Sequence, residues 1–329
     1  MSSDRMIDEI DAKILKELLK DGRKRFIEIA REAHVSKDVI SQHYINMKKE
    51  GIIVGSTIQL NYAALGYDVA ASFFIDVPPR QQQQTIEHLR KIPGLYDAYR
   101  WGSHSRLWAV SDLMKAEQID YIKQLIKKLP SVLKLEVEVW IGSRDMPDNL
   151  SVLTNDKISS DIEKTEAQTK NRIEENLGEI DEIDRKLIEK LTVDGRASFD
   201  DIGRELGISA STAMRRYHNL KHSGIIRTVI QVNPAKIGYL TMACFRLTID
   251  YQGNLNSIVE KIAKIPDVVG LFKTTGAYDL TIMTEIKNFE HFFALETEIA
   301  NIDGIREMET AALNRFPILP YAREHISTF

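Results

Sequence analysis

The sequence predicts an α+β protein made of two copies of one unit, each a winged-type helix-turn-helix followed by a ferredoxin-like βαββαβ sandwich. Three observations lead to this prediction. Much of the first half of the 329-residue chain recurs in the second half. Each copy opens with three short amphipathic helical segments. Each then continues with strand and helix patterns in the order β, α, β, β, α, β.

The internal repeat has an offset of 173 residues, and it aligns residues 9–33 with residues 182–206, including an Asp-Gly-Arg tripeptide in each. Further matches follow at an offset of 173 or 172: Gly51-Ile52-Ile53 with Gly224-Ile225-Ile226, Gly66-Tyr67 with Gly238-Tyr239, and Lys91-Ile92-Pro93 with Lys264-Ile265-Pro266. Chance does not align this many identities, so the chain is a tandem duplication.

The composition is that of a folded protein rather than a disordered one, with 43% hydrophobic and 28% charged residues. The net charge is 44 − 48 = −4, so any nucleic-acid surface must be local. Cys244 is the single cysteine, which excludes an intrachain disulfide and a multi-cysteine zinc site. We find no secretory signal and no apolar run near the roughly 18 residues of a spanning helix, and therefore expect a cytoplasmic protein without a membrane anchor.

The repeat divides the chain into five segments. A helix-turn-helix at 1–55 precedes a ferredoxin-like domain at 56–145, and the same pair recurs at 180–227 and 228–329. Residues 146–179 between them are polar and free of aromatic residues. This composition predicts a linker, either an exposed charged helix or a flexible tether.

Three helices are predicted at the start of each unit from apolar spacing and capping residues. In the second unit Gly195 ends the first helix and Ser198 caps the second. Gly207 forms the turn, and Ser209 caps the third helix. The predicted buried faces contain Ile183, Leu187, Ile188, Leu191, Phe199, Ile202, Leu206, Ala213, Tyr217 and Leu220. The first unit repeats the pattern, with a third helix from Ser36 through Glu50, and three such helices describe a helix-turn-helix.

The third helix of the second unit has the charge that nucleic-acid binding needs. From Leu206 to Thr228 there is no Asp or Glu, whereas the preceding helices are acidic. The cations of this stretch are Arg215, Arg216, Lys221 and Arg227. A basic helix beside acidic neighbours suits phosphate binding. The candidate DNA-binding residues are Ser209, Ser211, Thr212, Arg215, Arg216 and Asn219. The helix pattern alone leaves a purely structural bundle open.

The third helix of the first unit is less basic. Three lysines stand against Asp38 and Glu50, for a net 3 − 2 = +1. Its candidate DNA-binding residues are Ser36, Lys37, Ser41, Gln42 and His43. Polar side chains here can contact base edges. A degenerate helix that serves mainly as scaffold is the alternative, and the sequence leaves both open.

The remainder of each unit predicts a sandwich with its helices on one face of the sheet. The predicted strands are Val54–Leu60, Ala70–Val77, Leu95–Trp101, Arg106–Asp112 and Leu133–Ile141 in the first unit, and Arg227–Val232, Met242–Ile249, Val268–Thr274, Leu280–Glu285 and Ile305–Leu313 in the second. The predicted helices are Gln82–Ile92, Ala116–Leu129, Leu255–Ile265 and Phe289–Ala300.

An N-terminal helix-turn-helix followed by a βαββαβ domain resembles the Lrp/AsnC family of prokaryotic transcription regulators, and the resemblance covers each unit nearly end to end. Its most specific marks are Ile-Asp-x-x-Asp at Ile7–Asp11 and Ile180–Asp184, the Asp-Gly-Arg tripeptide, and a serine-led third helix ending in Gly-Ile-Ile. The resemblance implies that dimers bind promoter DNA and assemble further. It also implies that the second domain, called RAM, binds a small effector such as an amino acid.

This chain departs from the family pattern by holding two units in one polypeptide. We therefore expect a pseudo-dimer within the chain, with its sandwiches packed sheet to sheet, and further association into a homo-oligomer.

The resemblance also places an effector-binding turn in the second unit, with Gly276, Tyr278 and Asp279 as candidate residues. A glycine permits close backbone approach, and a carboxylate can hold the ammonium group of an amino acid. The first unit has Ser103–Arg106 at this place, which inverts the charge, so we expect an anion or no ligand there. The alternative for Asp279 is that it only satisfies the backbone of the turn.

No phosphate loop, nucleophile elbow or metalloprotease motif is present, so we predict no catalytic residue, no cofactor, no metal and no enzymatic activity. Two alternatives are weighed against a regulator. Sirohaem decarboxylases resemble the same family and also pair two units, but they are expected to carry a histidine where this chain has Tyr62 and Pro234. A nucleoid-architectural protein would bind DNA broadly and without an effector.

Overall fold

The computed structural model describes residues 7–62, 65–67, 69–95, 98–102, 105–141, 180–250, 254–313 and 318–319. The predicted linker at 146–179 lies outside these residues. Within them, the α+β prediction is confirmed, and each unit has three helices followed by a sandwich. No helix in this part of the chain has the length and apolarity needed to span a bilayer.

The elements of the first unit are α1 Glu9–Lys20, α2 Phe26–Glu32, α3 Lys37–Lys49, β1 Ile53–Leu60, β2 Val69–Asp76, α4 Gln82–Leu89, β3 Ala98–Trp101, β4 Arg106–Leu113, α5 Glu117–Lys127 and β5 Lys134–Ile141. Those of the second are α6 Glu182–Val193, α7 Phe199–Leu206, α8 Ala210–His222, β6 Ile226–Val232, β7 Thr241–Ile249, α9 Leu255–Ala263, β8 Val268–Thr275, β9 Leu280–Ile286, α10 Phe289–Ala300 and β10 Ile305–Leu313.

The sheets of the two sandwiches join into one closed barrel, with the strand order β10-β3-β4-β2-β5-β8-β9-β7. One seam pairs Leu313 of β10 with Trp101 of β3, and the other pairs β5 with β8 from Val139 opposite Thr275. The barrel interior contains apolar residues of both units, among them Phe74 and Phe272. The two units therefore form the expected pseudo-dimer inside a single chain.

The strands that link each helix-turn-helix to its sandwich pair with each other across the units. β1 and β6 run antiparallel, with Ile53 opposite Val232 and Leu60 opposite Ile226. Helix α1 packs on β6 of the other unit, and α6 packs on β1. This exchange holds both helix-turn-helix domains against one two-stranded ribbon.

The Asp-Gly-Arg tripeptides lie against this ribbon. The amide of Gly22 donates to the carbonyl of Thr228 at 2.6 Å, and that of Gly195 donates to Ser56 at 3.1 Å. A Cβ at Gly22 would come within 2.7 Å of the Val229 backbone, and one at Gly195 within 2.5 Å of the carbonyl oxygen of Thr57. Each tripeptide does end a helix, as predicted, but its glycine is required by close contact with the other unit.

The arginine of the first tripeptide extends this contact. Arg23 donates from Nε to the Gly195 carbonyl at 2.8 Å and from Nη2 to the Ala197 carbonyl at 2.7 Å. Its guanidinium also lies 4.4 Å from the centre of the Phe199 ring, a favourable cation–π distance. We call the contacts of Gly22, Arg23 and Gly195 the clasp.

We expect Gly195→Ala to lower the free energy of unfolding by about 2 kcal/mol or more, because the added methyl meets backbone atoms that cannot rotate away. Gly55→Ala is the matched control, since its methyl would meet only the flexible Gln231 side chain. Urea denaturation of both variants measures the difference. Equal stability of the two variants would contradict the structural role of the clasp.

Candidate nucleic-acid interface and effector turn

Helix α8 presents its polar face to solvent because its other face is anchored. Ala213, Tyr217 and Leu220 are buried. The N-cap Ser209 accepts a hydrogen bond from the amide of Thr212 at 3.1 Å. The hydroxyls of Ser211 and Thr212 lie 2.9 and 2.8 Å from the Ser209 oxygen. These three predicted DNA contacts therefore form one hydrogen-bonded group at the start of the helix.

The four cations around α8 differ in their surroundings. Lys221 pairs with Asp21 of the first unit at 2.8 Å, and Arg227 donates to Gln59. Arg216 pairs with two carboxylates, as described below. Arg215 is exposed and has no hydrogen-bond or ionic partner within the described parts of the chain. Of these four cations, Arg215 is therefore the one without a hydrogen-bond or ionic partner among the described residues.

Arg216 is held against the start of helix α6. Its Nη1 lies 2.8 Å from Asp181 Oδ2 and 2.9 Å from Asp184 Oδ1. The two aspartates form a capping box at the α6 N-terminus. The hydrogen bond from the Asp184 amide and the nearby guanidinium lower the pKa of Asp181, and the hydrogen bond to Asp184 raises the pKa of Arg216. The DNA contact of Arg216 stays a prediction, and in the structure its guanidinium pairs with these two carboxylates.

His43 takes the place of Arg216 in the first unit. Its Nδ1 lies 2.8 Å from Asp11 Oδ1 and 3.7 Å from Asp8 Oδ1. One nitrogen or oxygen atom of each of these three residues lies within 4.8 Å of the other two, which is close enough for the three atoms to hold a metal ion together. The matching carboxylates of α6 bind a guanidinium, so we interpret the group as the first unit's version of the same polar anchor.

Helix α3 exposes more cationic side chains than α8 does. Lys37, Lys48 and Lys49 are exposed and have no ionic partner among the described residues. The N-cap Ser36 accepts from the Val39 amide at 3.3 Å, and the Ser41 hydroxyl donates back to its own helix. Net charge therefore favours α8 as the more cationic third helix, whereas exposure favours α3.

The predicted effector turn connects β8 and β9. The Asp279 carboxylate accepts a hydrogen bond from the Ile249 amide at 2.7 Å, and the Asp279 amide donates to Leu247. Gly276 has a φ of +126°, a backbone conformation that residues with a side chain rarely adopt. The Asp279 carboxylate thus satisfies one backbone amide while the residue itself is exposed, and its role in effector binding stays a prediction.

Tyr278 of this turn borders a charged cluster that sequence analysis missed. The guanidinium of Arg246 lies 4.0 Å from the Tyr278 ring centre and contacts three carboxylates from both units. It pairs with Glu136 and Glu309 at 2.6 Å each and also with Glu138. The sequence does contain one signal of this cluster, because Arg246 stands within the otherwise apolar strand β7.

The cluster has more acids than bases. Arg106 and Arg246 face the four carboxylates of Asp76, Glu136, Glu138 and Glu309. Burial raises the pKa of Glu138 above its ordinary value, and the charge of Arg246 opposes that rise only in part. For Arg246, burial lowers the pKa and the charge of Glu138 raises it, with a net rise.

A cavity of about 320 Å³ opens beside the cluster at the turn of the first unit. Its lining residues are Asp76, Val77, Trp101, Ser105, Arg106, Leu133 and Glu309. Of the expected anion-binding turn Ser103–Arg106, Ser103 and His104 lie outside the described residues. Arg106 is paired with Asp76 at 2.7 Å, so its charge is already balanced.

Three family models match the chain. An AsnC-type helix-turn-helix domain matches residues 180–221, and the Lrp/AsnC ligand binding domain matches residues 242–315. A winged helix-turn-helix DNA-binding model matches residues 7–54 of the first unit. The predicted DNA-binding helices of both units therefore fall within helix-turn-helix domains.

Two curated relatives each match about one unit's length. The HTH-type transcriptional regulator PH0140 of Pyrococcus horikoshii is 35% identical over 148 residues, which is 44% of this chain and 92% of the relative. The HTH-type transcriptional regulator FL11 of Pyrococcus furiosus is 31% identical over 134 residues, 40% of this chain and 88% of the relative.

Solved structures of another protein match both units together. The sirohaem decarboxylase NirDL superposes with a TM-score of 0.60 over 93% of this chain and 91% of its own, at 16% sequence identity. At 16% sequence identity this similarity shows a common fold and nothing further.

Fold and family matches together define a helix-turn-helix protein with a ligand-binding type of sandwich domain. The chain belongs to the Lrp/AsnC family of transcriptional regulators, as the sequence resemblance predicted.

We expect Glu138→Gln to flatten the pH dependence of stability. The raised pKa means that folding favours protonated Glu138, so its contribution is complete below the unfolded pKa of about 4.5 and is lost as pH rises through the folded pKa. In urea denaturation between pH 4 and 8, the free energy of unfolding of the variant should therefore rise relative to that of wild type as the pH increases. Glu307→Gln, at an exposed position of β10, is the control. A pH-independent difference from wild type would show that Glu138 titrates normally.

Proposed function

We propose that this chain is a transcription regulator that binds double-stranded DNA through α8 and α3 together. The observation that carries the proposal is Arg215 on the outer face of a helix-turn-helix third helix, where it is exposed and has no partner among the described residues. Third helices of this motif enter the major groove and contact base edges. The family membership and the regulator relatives support the same function.

In this proposal the two third helices make different kinds of contact with DNA. Lys37, Lys48 and Lys49 of α3 supply positive charge for phosphates, which gives affinity without sequence information. Arg215 supplies a planar group suited to a base edge. Arg216 positions α8 through its carboxylate partners rather than binding DNA itself.

We further propose that the second sandwich binds a small amine-bearing effector, such as an amino acid, at Gly276, Tyr278 and Asp279. The support is the match of residues 242–315 to a ligand binding domain and the exposure of the Asp279 carboxylate. One carboxylate oxygen holds the Ile249 amide, so the turn is rigid before any ligand arrives. A rigid turn lowers the entropic cost of binding.

Two other functions are the alternatives to a regulator. The likeness to a sirohaem decarboxylase favours testing tetrapyrrole chemistry. At the positions where a histidine was expected, Pro234 is buried in a short 3-10 helix and Tyr62 packs against Tyr67 at 5.8 Å between ring centres, so neither supplies a proton-transfer group of that kind. An architectural DNA binder would lack sequence preference.

We expect Arg215→Ala to weaken binding to a selected operator by about 10-fold or more, because a bidentate base contact contributes roughly 1–3 kcal/mol. Arg306→Ala, which removes an exposed guanidinium from β10, is the matched control and should bind like wild type. Fluorescence anisotropy on one duplex measures both.

Three results would contradict the regulator proposal. If the wild-type protein binds no DNA, the proposal is wrong. If Arg215→Ala binds the operator as tightly as wild type does, the role proposed for Arg215 is wrong. A Soret shift with decarboxylated product on mixing with an iron tetrapyrrole would favour the enzyme.

We expect Asp279→Asn to abolish amino-acid binding without loosening the turn, because asparagine keeps an oxygen acceptor for the Ile249 amide but loses the charge. Calorimetry with an amino-acid panel compares the variant with wild type, and thermal unfolding checks that the turn is intact. No heat of binding for wild type at millimolar ligand would count against the effector.

A further inference from the structure

We propose that the two third helices recognise different base pairs, so that one chain binds an asymmetric DNA site. In this proposal α8 selects a G·C pair through Arg215, and α3 selects an A·T pair through Gln42 and Asn46. The inference rests on the proposed DNA-binding function and specifies which DNA the two helices select.

The two helices can be compared position by position. Each has 13 residues and a serine N-cap, Ser36 for α3 and Ser209 for α8. Each ends before a glycine with a φ of +73°, Gly51 or Gly224. Residues that differ by 173 in number therefore occupy the same place on each helix, and position 42 of α3 corresponds to position 215 of α8.

Arg215 has the chemistry that guanine requires. Guanine presents two acceptors in the major groove, O6 and N7, and a guanidinium offers two parallel donors to them. The adjacent Arg216 is held at the α6 capping box, so it does not compete for this place. Asn219, one turn further on, is exposed on the same face.

Gln42 and Asn46 have the chemistry that adenine requires. Gln42 Nε2 donates to Asn46 Oδ1 at 2.9 Å, which orients the exposed Gln42 amide and the half-buried Asn46 amide as a pair. The Gln42 oxygen is then available as an acceptor and the Asn46 nitrogen as a donor. Adenine offers the complementary set, the N6 donor and the N7 acceptor, whereas guanine would set its O6 against the Gln42 oxygen.

Ile45 adds an apolar contact beside this amide pair. Its side chain is 56% exposed, and it lies three residues from Gln42, on the adjoining part of the helix face. An apolar side chain suits the thymine methyl group in the major groove. The equivalent residue of α8 is His218, which is polar, so the preference for A·T belongs to the first unit.

The asymmetry is built into every chain. The clasp and the β1–β6 pairing hold one α3 and one α8 in a single body. A dimer of identical one-unit chains would present the same helix twice, and its preferred site would be a palindrome. This chain always presents one helix of each kind.

The test is selection of binding sites from a random duplex library with the wild-type chain and two reciprocal variants. Wild type should select two unlike half-sites, one with G·C and the other with A·T at the matching position. Gln42→Arg should select G·C in both halves, and Arg215→Gln should select A·T in both. Gln124→Arg, which adds the same charge on α5, should select the wild-type site.

A second measurement does not depend on the variants folding. Replacing the G·C pair of the selected site by A·T should weaken wild-type binding by about 10- to 100-fold, and the reverse replacement in the other half should do the same. Native mass spectrometry on a duplex with one site confirms that a single chain is bound.

The outcomes separate this inference from the function on which it rests. Sequence-specific binding of one chain to two identical half-sites would overturn the inference and leave the regulator proposal intact. Reciprocal variants that bind but keep the wild-type preference would do the same. Binding without any base preference would contradict both.

Discussion

The antiparallel pairing of β1 with β6 is the constraint on which the rest of the molecule depends. It joins the two units at their linking strands and brings each helix-turn-helix onto a strand of the other unit. The close approach at Gly22 and Gly195, and the bonds from Arg23, exist only because this ribbon forms. Removing the ribbon would leave each helix-turn-helix without its packing surface. The relative position of α3 and α8 therefore depends on backbone pairing, to which the ion pair of Lys221 on α8 with Asp21 of the first unit adds a side-chain contact.

A second constraint acts inside the barrel, where the duplicated units have diverged. Phe74 of the first unit and Arg246 of the second occupy equivalent positions opposite Glu136 and Glu309. In this chain the arginine stacks on the phenylalanine at 4.0 Å and pairs with the buried Glu138. Two copies of the second unit in the same arrangement would set two guanidinium groups together. Burying unpaired like charges is costly, so the divergence favours pairing of unlike units.

Sequence periodicity predicted the order of helices and strands because apolar spacing and caps are local properties. The third helices begin at Ser36 and Ser209 as predicted, and β10 has the predicted bounds. The partners of the charged residues could not be predicted in the same way. Arg216 pairs with carboxylates some thirty residues away, and Arg246 with Glu138 more than a hundred residues away. Such contacts follow from the tertiary fold, and the pattern around each residue contains no information about them.

The same limitation explains why net charge and exposure rank the two third helices differently. A count of cations treats every guanidinium and ammonium group as available, but an ion pair within the protein already satisfies the charge that a phosphate would otherwise satisfy. Arg216 and Lys221 are engaged in this way, and Arg227 donates to the neutral amide of Gln59. The three lysines of α3, by contrast, are exposed. The proposed function therefore assigns affinity and selectivity to different units. In that proposal the lysines of α3 bind phosphate without regard to sequence, and Arg215 of α8 contacts a base where a planar donor pair distinguishes one base from another.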